Sequence, residues 1–322
     1  MNLQNHMTHT VGLAITNPVI DGQWHSGRRC DGKGADKISY VGHYLPKGLL
    51  VRYRHHKQPD TCHVWKEWEG EDHANIDAAE YRRKKEQAET LAQQAATQAA
   101  REKARLRAML QQIIADSIPA AHEHPYVAKK RILAIGGRQT RQRYAVIPET
   151  AATPAQYLSP SDLLIPIYDH TGYLQGIQQI TVQGRKFVRG SIKDGLCWVG
   201  GGLTTGETTN RLYIAEGWAT AVSIHIRTRN PVIVAFSTSN LLGAGYWARG
   251  CYPDTELVYA VDNDIGSFIT IAGQKIENPG KYYAEQAAIA VNAAVIKPPM
   301  SEGKSDWNDW HISQILNTRK PD

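Results

Sequence analysis

The sequence has 322 residues, of which 42% are hydrophobic and 21% charged, as in an ordinary globular protein with room for two domains. Its formal net charge of +6 favours a polyanionic partner, although a basic enzyme acting on a small anion would carry a similar surplus. Four scattered cysteines without a CxxC pair, no apolar run of about 18 residues and no signal peptide predict a cytoplasmic protein without disulfides or a membrane partner.

Residues 1–75 have the character of a small β-rich module, with short apolar runs at residues 38–44 and 49–53 between turn signals. This stretch also holds four acceptable zinc ligands, which are His25, Cys30, Cys62 and His63. However, adjacent residues of a strand face opposite ways, so Cys62 and His63 do not have the spacing of a ligand pair. The sequence therefore predicts no zinc site in this module.

Residues 76–118 predict one long helix, because Glu, Gln, Ala, Lys and Arg dominate and Gly and Pro are missing. Its middle, residues 91–100, carries few large apolar side chains and can build no broad packed face. A partly exposed connector helix is the interpretation that this composition favours.

Residues 119–206 predict a subdomain of antiparallel strands, with a hairpin at residues 163–168 and 172–180 and a further strand at 185–189. Polar and apolar residues alternate here, so one sheet face should be open. We expect that face to carry Gln178, Lys186 and Arg189, while Arg138 and Arg143 lie in a basic loop nearby.

Residues 207–322 predict an α/β unit, because short Val-, Ile- and Tyr-rich runs alternate with helical segments. Glu216, Asp262 and Asp264 each follow such a run, and ligands collect at the carboxyl ends of parallel strands. The two aspartates form a DxD pair, whose carboxylates point to the same side of an extended chain about 7 Å apart. Carboxylates that converge in this way repel one another unless a cation lies between them.

Each acidic motif alone is weak evidence, because an acidic residue after a strand is usually a solvated loop residue or a helix cap. The ordered set is more specific, since a β/α segment separates Glu216 from the DxD pair and a third acidic cluster follows at residues 305–309.

This ordered set resembles the Toprim domain of bacterial primases, topoisomerases and some nucleases. More closely, the chain is similar to the TraC-like Toprim primases of plasmids and phages over residues 120–310. The motifs that carry this resemblance are residues 124–126, 164–167, 172, 178–180, 184–187, 216–220, 235–236, 240–241, 262–264, 278–280 and 306–309.

The resemblance implies an α/β fold: a Toprim Rossmann-like parallel sheet at residues 207–322 and a mixed α+β primase subdomain at 119–206, preceded by the β-rich module and the long helix. It implies synthesis of RNA primers on single-stranded DNA from ribonucleoside triphosphates, with Mg²⁺ or Mn²⁺ and without zinc. The catalytic residues would be Glu216, Asp262 and Asp264. The same three residues, with Asp306 and Asp309, would hold metal. The residues implied in contacts with nucleotide or template are Lys186, Arg189, Arg138, Arg143 and Gln178.

Two features depart from the family pattern or limit what it implies. Residues 237–239 read Ser-Thr-Ser where a Gly-containing segment is usual, and no GxxxxGK[ST] motif of a helicase is present. A separate replicative helicase is therefore expected as a partner. Two other functions remain open at this point: a Toprim nuclease with water as the nucleophile, and a non-catalytic accessory protein that binds single-stranded DNA.

Overall fold

The computed structural model describes residues 2–12, 15, 18–28, 37–45, 47–55, 61–69, 78–147, 155–201, 209–271, 274–299 and 305–318. The chain divides into two compact units, residues 1–102 and 103–322, so the division falls inside the long helix. The four-part division at residues 75, 118 and 206 stays a prediction. Cys30, one of the four candidate zinc ligands, lies outside the described residues.

The first unit is an antiparallel sheet with one helix on its inner face, which confirms the β-rich character of this region. Its strands lie in the order β1-β2-β3-β4, and Leu3 and Met7 of the helix pack against Ile38, Val51 and Tyr53. The elements are α1 (Leu3–Val11), β1 (His25–Arg28), β2 (Lys37–Leu45), β3 (Gly48–His55), β4 (His63–Lys66) and the start of α2 (Ala78–Asp116).

The predicted long helix is confirmed as α2, which has 39 residues. Its middle is exposed, with Leu91 62% accessible, because alanine and polar residues there give it nothing to bury. Further along, Leu110 and Ile113 are buried in the second unit, so this part of the helix packs against a core.

The second unit begins with a five-stranded antiparallel sheet in the order β11-β10-β9-β6-β5. One face packs against Leu110 and Ile113 of α2, and the other, with Ile165 and Ile180, joins the main core. The elements are β5 (Ile118–Pro119), α3 (Pro125–Lys130), β6 (Arg138–Gln139), β7 (Tyr144–Ile147), β8 (Gln156–Leu158), β9 (Leu163–Tyr168), β10 (Leu174–Ile180) and β11 (Lys186–Gly190).

The rest of the second unit is an α/β layer structure around a second five-stranded sheet. The elements are β12 (Cys197–Val199), β13 (Arg211–Ala215), α4 (Trp218–Thr228), β14 (Val232–Val234), α5 (Leu241–Cys251), β15 (Glu256–Ala260), β16 (Phe268–Ile271), β17 (Gln274–Glu277), α6 (Pro279–Val291), β18 (Ala294–Ile296) and α7 (Trp307–Asn317). The sheet order is β12-β14-β13-β15-β18. The last four strands in this order are parallel and β12 is antiparallel, which confirms the predicted α/β class.

The strand order creates a crevice at the carboxyl ends of β13 and β15. The chain leaves β13 through α4 to β14 on one side, and later returns to β15 on the other side of β13. Such a reversal of direction is a topological switch point, where ligands bind in open α/β sheets. Glu216 follows β13 and Asp262 follows β15, so the fold itself brings the predicted acidic residues to this crevice.

One hydrophobic core joins the two sheets of the second unit. Ile165 and Ile180 of the antiparallel sheet share this core with Trp218 and Val222 of α4. A separate core on the other face of the parallel sheet packs α5 and α6, with Ala244 and Ala287 against Tyr259. Among the helices that the structure describes, none has the length and apolar character needed to span a bilayer.

Candidate active site

Glu216 lies where the buried strand β13 turns into α4. Its backbone oxygen accepts a hydrogen bond of 2.8 Å from the amide of Phe236, which fixes the strand end. Part of the side chain reaches solvent, yet protein atoms crowd the carboxylate. This desolvation raises the pKa of Glu216, and the charge of Asp264 raises it further, whereas Lys186 opposes the shift.

Asp262 occupies the centre of the crevice, just after β15. Its carboxylate accepts a hydrogen bond of 3.4 Å from Thr220 Oγ1, and its backbone oxygen accepts one of 3.3 Å from Asn278 Nδ2. Burial, followed by the charges of Asp306, Asp264 and Glu216, raises the pKa of Asp262 to about 7. The side chain is therefore surrounded by negative charge that the protein does not fully balance.

A short backbone bridge brings the third acidic cluster to the DxD pair. Asn263, between the two aspartates, donates to the oxygen of Ser305 at 2.8 Å and accepts from its amide at 3.1 Å. The indole of Trp307 donates to the oxygen of Val261 at 3.0 Å. Asp306, between Ser305 and Trp307 in sequence, is held beside the site by both contacts.

Asp306 begins α7 and also faces a lysine. Its carboxylate accepts from the amide of Asp309 at 2.7 Å, and the Asp309 carboxylate accepts from the amide of Asp306 at 3.0 Å, which together form a capping box. The other oxygen of Asp306 lies 3.3 Å from Lys130 Nζ. Asp309 is exposed and caps the helix, so its carboxylate supports Asp306.

Lys186, the first residue of β11, supplies positive charge to the crevice. Burial of its ammonium group among protein atoms lowers its pKa, and the nearby Lys130 lowers it further, while Asp262, Asp306 and Glu216 raise it. The residue nevertheless keeps an exposed surface, as expected for a group on the wall of an open cleft. Lys186 is therefore accessible to an anionic ligand that enters the cleft.

The crevice has an excess of negative charge and the donor atoms that a divalent cation prefers. Four carboxylates, those of Glu216, Asp262, Asp264 and Asp306, converge here. Among the described residues, Lys130 pairs with Asp306, and the charge of Lys186 interacts with Glu216, Asp262 and Asp306. Within the described parts of the chain, no three His, Cys, Asp or Glu side chains already have the spacing of a closed metal site. Mg²⁺ takes one or two protein carboxylates and completes its shell with water and substrate phosphates, so an open set fits.

A pocket between the strand ends gives the carboxylates access to a ligand. It is lined by residues that include Glu216, Asp262, Asp264 and Gly280. A Cβ at position 280 would lie 4.0 Å from Glu216 Oε2, which is an ordinary van der Waals distance, so this glycine lies directly beside the carboxylate.

The register of β10 and β11 separates the predicted basic residues. Ile180 pairs with Lys186 and Gln178 with Val188, which puts Gln178 and Lys186 on one face, whereas Arg189 pairs with Ile177 on the other. The expectation that Arg189 shares the open face with Lys186 is therefore wrong. Its guanidinium is buried and donates to Gln179 and Gln156, because a buried charge needs such partners.

The other two predicted arginines lie outside the acidic crevice. Arg138 donates to the hydroxyl and the backbone oxygen of Ser117 and lines a separate pocket with Trp198. Arg143 is exposed, and its guanidinium carbon lies 3.7 Å from the ring centroid of Tyr157. Of the five predicted nucleotide or template residues, only Lys186 interacts electrostatically with the carboxylates.

Two residues outside the predicted set of catalytic, metal and nucleotide residues also contribute to the crevice. Lys130 ends the short helix α3, and the Asn308 amide donates to its backbone oxygen at 2.7 Å. Asn278 caps α6 and holds the backbone of Asp262. A lysine at the end of a six-residue helix looks like a solvated residue in sequence, because its ion pair with Asp306 spans 176 residues.

The parallel sheet, its switch point and the acidic crevice define the class of the second unit. Residues 211–314 match the family model of the Toprim domain, so the chain carries a Toprim domain over this range.

Two curated relatives show which Toprim proteins this chain resembles over most of its length. The chain is 28% identical over 286 residues to a DNA primase TraC of Escherichia coli, a match that covers 88% of this chain and 18% of that protein. A second DNA primase TraC of Escherichia coli is 27% identical over 304 residues, with 92% and 26% covered. The chain is therefore similar to these two primases over most of its own length, and it spans about a quarter of their length or less.

Among solved structures, the primase fragment of the bacteriophage T7 primase-helicase protein aligns with a TM-score of 0.41 at 13% identity. The alignment covers 62% of this chain and 74% of that chain.

Proposed function

We propose that this protein synthesises short RNA primers on single-stranded DNA by metal-dependent nucleotidyl transfer. The observation that carries the proposal is the convergence of four carboxylates and two lysines at the Toprim switch point. The similarity to DNA primase TraC over 88% of the chain supports the same activity. Primer synthesis in plasmid or phage replication, or in conjugation, is the process that these relatives suggest.

The acidic residues have separate roles in the proposed reaction. Asp262, Asp264 and Asp306 would hold Mg²⁺ or Mn²⁺, which when bound supplies positive charge to the phosphates of the incoming nucleotide. Glu216 would either complete this set or accept the proton of the attacking 3′-hydroxyl, since a carboxylate with a raised pKa is suited to both. Asp309 contributes through the capping box that holds Asp306 in position.

The lysines would neutralise the phosphates that the carboxylates repel. Lys186 keeps an accessible surface on the cleft wall, and Lys130 is anchored through Asp306 and Asn308. Gln178, on the same sheet face as Lys186, would contact the template or the nucleotide base. Arg143 remains a candidate for the template, whereas the contacts of Arg138 and Arg189 support a structural role.

The proposed partners follow from this reaction. Single-stranded DNA would be the template and ribonucleoside triphosphates the substrates, and a separate helicase would provide the single strand. The protein would act in the cytoplasm, where these substrates are found.

The experiment that tests the proposal is incubation with single-stranded DNA, the four ribonucleotides and either Mg²⁺ or Mn²⁺, with products separated by size. Labelled oligoribonucleotides that require template and metal are the expected result. Labelled DNA fragments without any nucleotide polymer would instead identify a Toprim nuclease. If the protein made no oligoribonucleotides and no DNA fragments but bound single-stranded DNA tightly, it would be identified as an accessory protein.

A further inference from the structure

The outer face of the N-terminal sheet carries an exposed tryptophan among arginines. Side chains alternate between the two faces of a strand, and Val51 and Tyr53 of β3 point into the core. Arg52 and Arg54 therefore lie on the outer face, where both are exposed. Ser39 pairs with Arg54, and Val64 pairs with Arg52, so these four residues share one surface.

Trp24 belongs to the same surface. It directly precedes β1, in which His25 pairs with the inward-facing Tyr40, so alternation turns Trp24 outward. The guanidinium carbon of Arg54 lies 4.9 Å from its ring centroid, yet the indole remains 50% exposed. Val64, 42% exposed, extends the apolar part of this surface across the sheet.

Within the N-terminal module, positive charge is concentrated in the stretch that forms the sheet. Residues 24–66 contain nine Lys and Arg residues against three Asp and Glu, whereas residues 1–75 as a whole contain nine against eight. In the described part of this sheet, no carboxylate pairs with Arg52 or Arg54. Two guanidinium groups without a carboxylate partner in this part of the sheet, together with an exposed indole, are suited to a polyanion with aromatic rings. The guanidinium groups would bind its negative charges, and the indole would stack on its rings.

We propose that this surface, formed by Trp24, Ser39, Arg52, Arg54 and Val64, binds single-stranded nucleic acid at a site additional to the acidic crevice. Unpaired bases stack on exposed aromatic rings, while arginines on the same face bind the phosphates. Duplex DNA keeps its bases stacked internally and offers only phosphates, so it binds the surface more weakly. The inference rests on the proposed function only for the identity of the strand, which would be the template.

The test is the affinity of the full chain for a fluorescein-labelled oligothymidylate, measured by anisotropy in EDTA at several salt concentrations. Trp24→Ala should weaken binding about tenfold, because stacking of one base contributes roughly this much, and Trp24→Phe should restore most of it. Arg52→Gln with Arg54→Gln should reduce the salt slope by about 1.4, or about 0.7 for each lost phosphate contact.

The matched control is Arg83→Gln with Arg101→Gln, which removes the same charge from exposed positions of α2 and should leave affinity almost unchanged. Equal losses in the control and the sheet variant would overturn the inference, as would wild-type affinity in Trp24→Ala. A change in oligomeric state with unchanged DNA affinity would also overturn it, in favour of a protein interface. Primer synthesis is measured separately, so a wild-type protein that makes no primers would contradict the proposed function and leave the binding result standing.

Discussion

Among the crevice carboxylates, Asp262 is the one whose pKa is raised to about 7 by burial and by the negative charge around it. That charge comes from three neighbouring carboxylates, and the value is far above the ordinary pKa of an aspartate. Such a group is easily ionised by a cation that binds beside it, because the cation supplies the charge that the protein withholds. The same carboxylate thus links the stability of the fold to occupancy of the site.

This linkage predicts that Mg²⁺ or Mn²⁺ stabilises the wild-type protein. A ligand at a hundred times its dissociation constant adds about 2.7 kcal/mol to the free energy of unfolding. We expect a rise in the melting temperature that is largely lost in Asp262→Asn. Asp254→Asn, which alters an exposed acid of the same unit, should retain it. An equal rise in both variants would show that the metal binds elsewhere.

At the scale of elements, helix α5 packs against β15 at a glycine. A Cβ at position 245 would collide with the hydroxyl of Tyr259, which donates to the oxygen of Leu241 at 3.0 Å. Strand β15, which leads into Asp262, is therefore held against α5 by a contact that leaves no space for a methyl group.

Gly245→Ala is expected to lower the free energy of unfolding by about 1–3 kcal/mol, because overpacking forces backbone or side chains to shift. Tyr259→Phe removes the obstructing hydroxyl, and the double variant should recover part of the loss. Urea unfolding of the four proteins in a double-mutant cycle measures this coupling. If the losses in the free energy of unfolding of Gly245→Ala and Tyr259→Phe simply added in the double variant, the proposed collision between the two residues would be contradicted.

A neutral histidine, His311, is one of the residues that attach helix α7 to its neighbours. His311 Nδ1 accepts from Arg227 at 3.0 Å, and Nε2 donates to the oxygen of Arg131 at 2.9 Å. Burial, with a smaller contribution from Arg227, lowers its pKa from 6.5, although the Arg131 carbonyl opposes the shift. A protonated ring could not accept from Arg227, so the folded state favours the neutral form.

The stability that His311 contributes is therefore present above its unfolded pKa and is lost as the pH falls below it. His311→Gln, which does not titrate, should be less stable than the wild type at pH 7, and we expect this difference in the free energy of unfolding to shrink as the pH falls from about 7 towards 5. The difference between the two proteins is the relevant quantity, because the raised pKa of Asp262 makes its own contribution change with pH in the opposite direction in both of them. If the free energies of unfolding of the wild type and His311→Gln differed by the same amount at every pH in this range, the pH dependence could not be assigned to His311.

At the scale of the whole molecule, much of the second unit could be predicted from the sequence. Buried parallel strands are continuous apolar runs, and their carboxyl ends gather ligands, so Glu216 and Asp262 could be selected without coordinates. The long helix was equally visible in composition. These predictions succeed because the features depend on residues that are close together in the sequence.

Contacts between distant segments could not be predicted in this way. Lys130 meets Asp306 only because Asn308 and His311 attach α7 to the end of α3, and no local pattern encodes this. The placement of Arg189 depended on the register of β11 against β10, since a shift of one residue exchanges the two faces. The hairpin of β16 and β17, between Asp264 and Asn278, was also missed because its strands are only four residues long.

The most direct test of the proposed activity compares primer synthesis by the wild type, Asp262→Asn and Asp254→Asn on single-stranded DNA. We expect labelled oligoribonucleotides from the wild type and Asp254→Asn, and a loss of about a hundredfold to a thousandfold in Asp262→Asn, since removal of one charge-stabilising group costs this order. Circular dichroism should show that all three proteins are folded. Full primer synthesis by folded Asp262→Asn would contradict the assignment of the acidic crevice as the catalytic site.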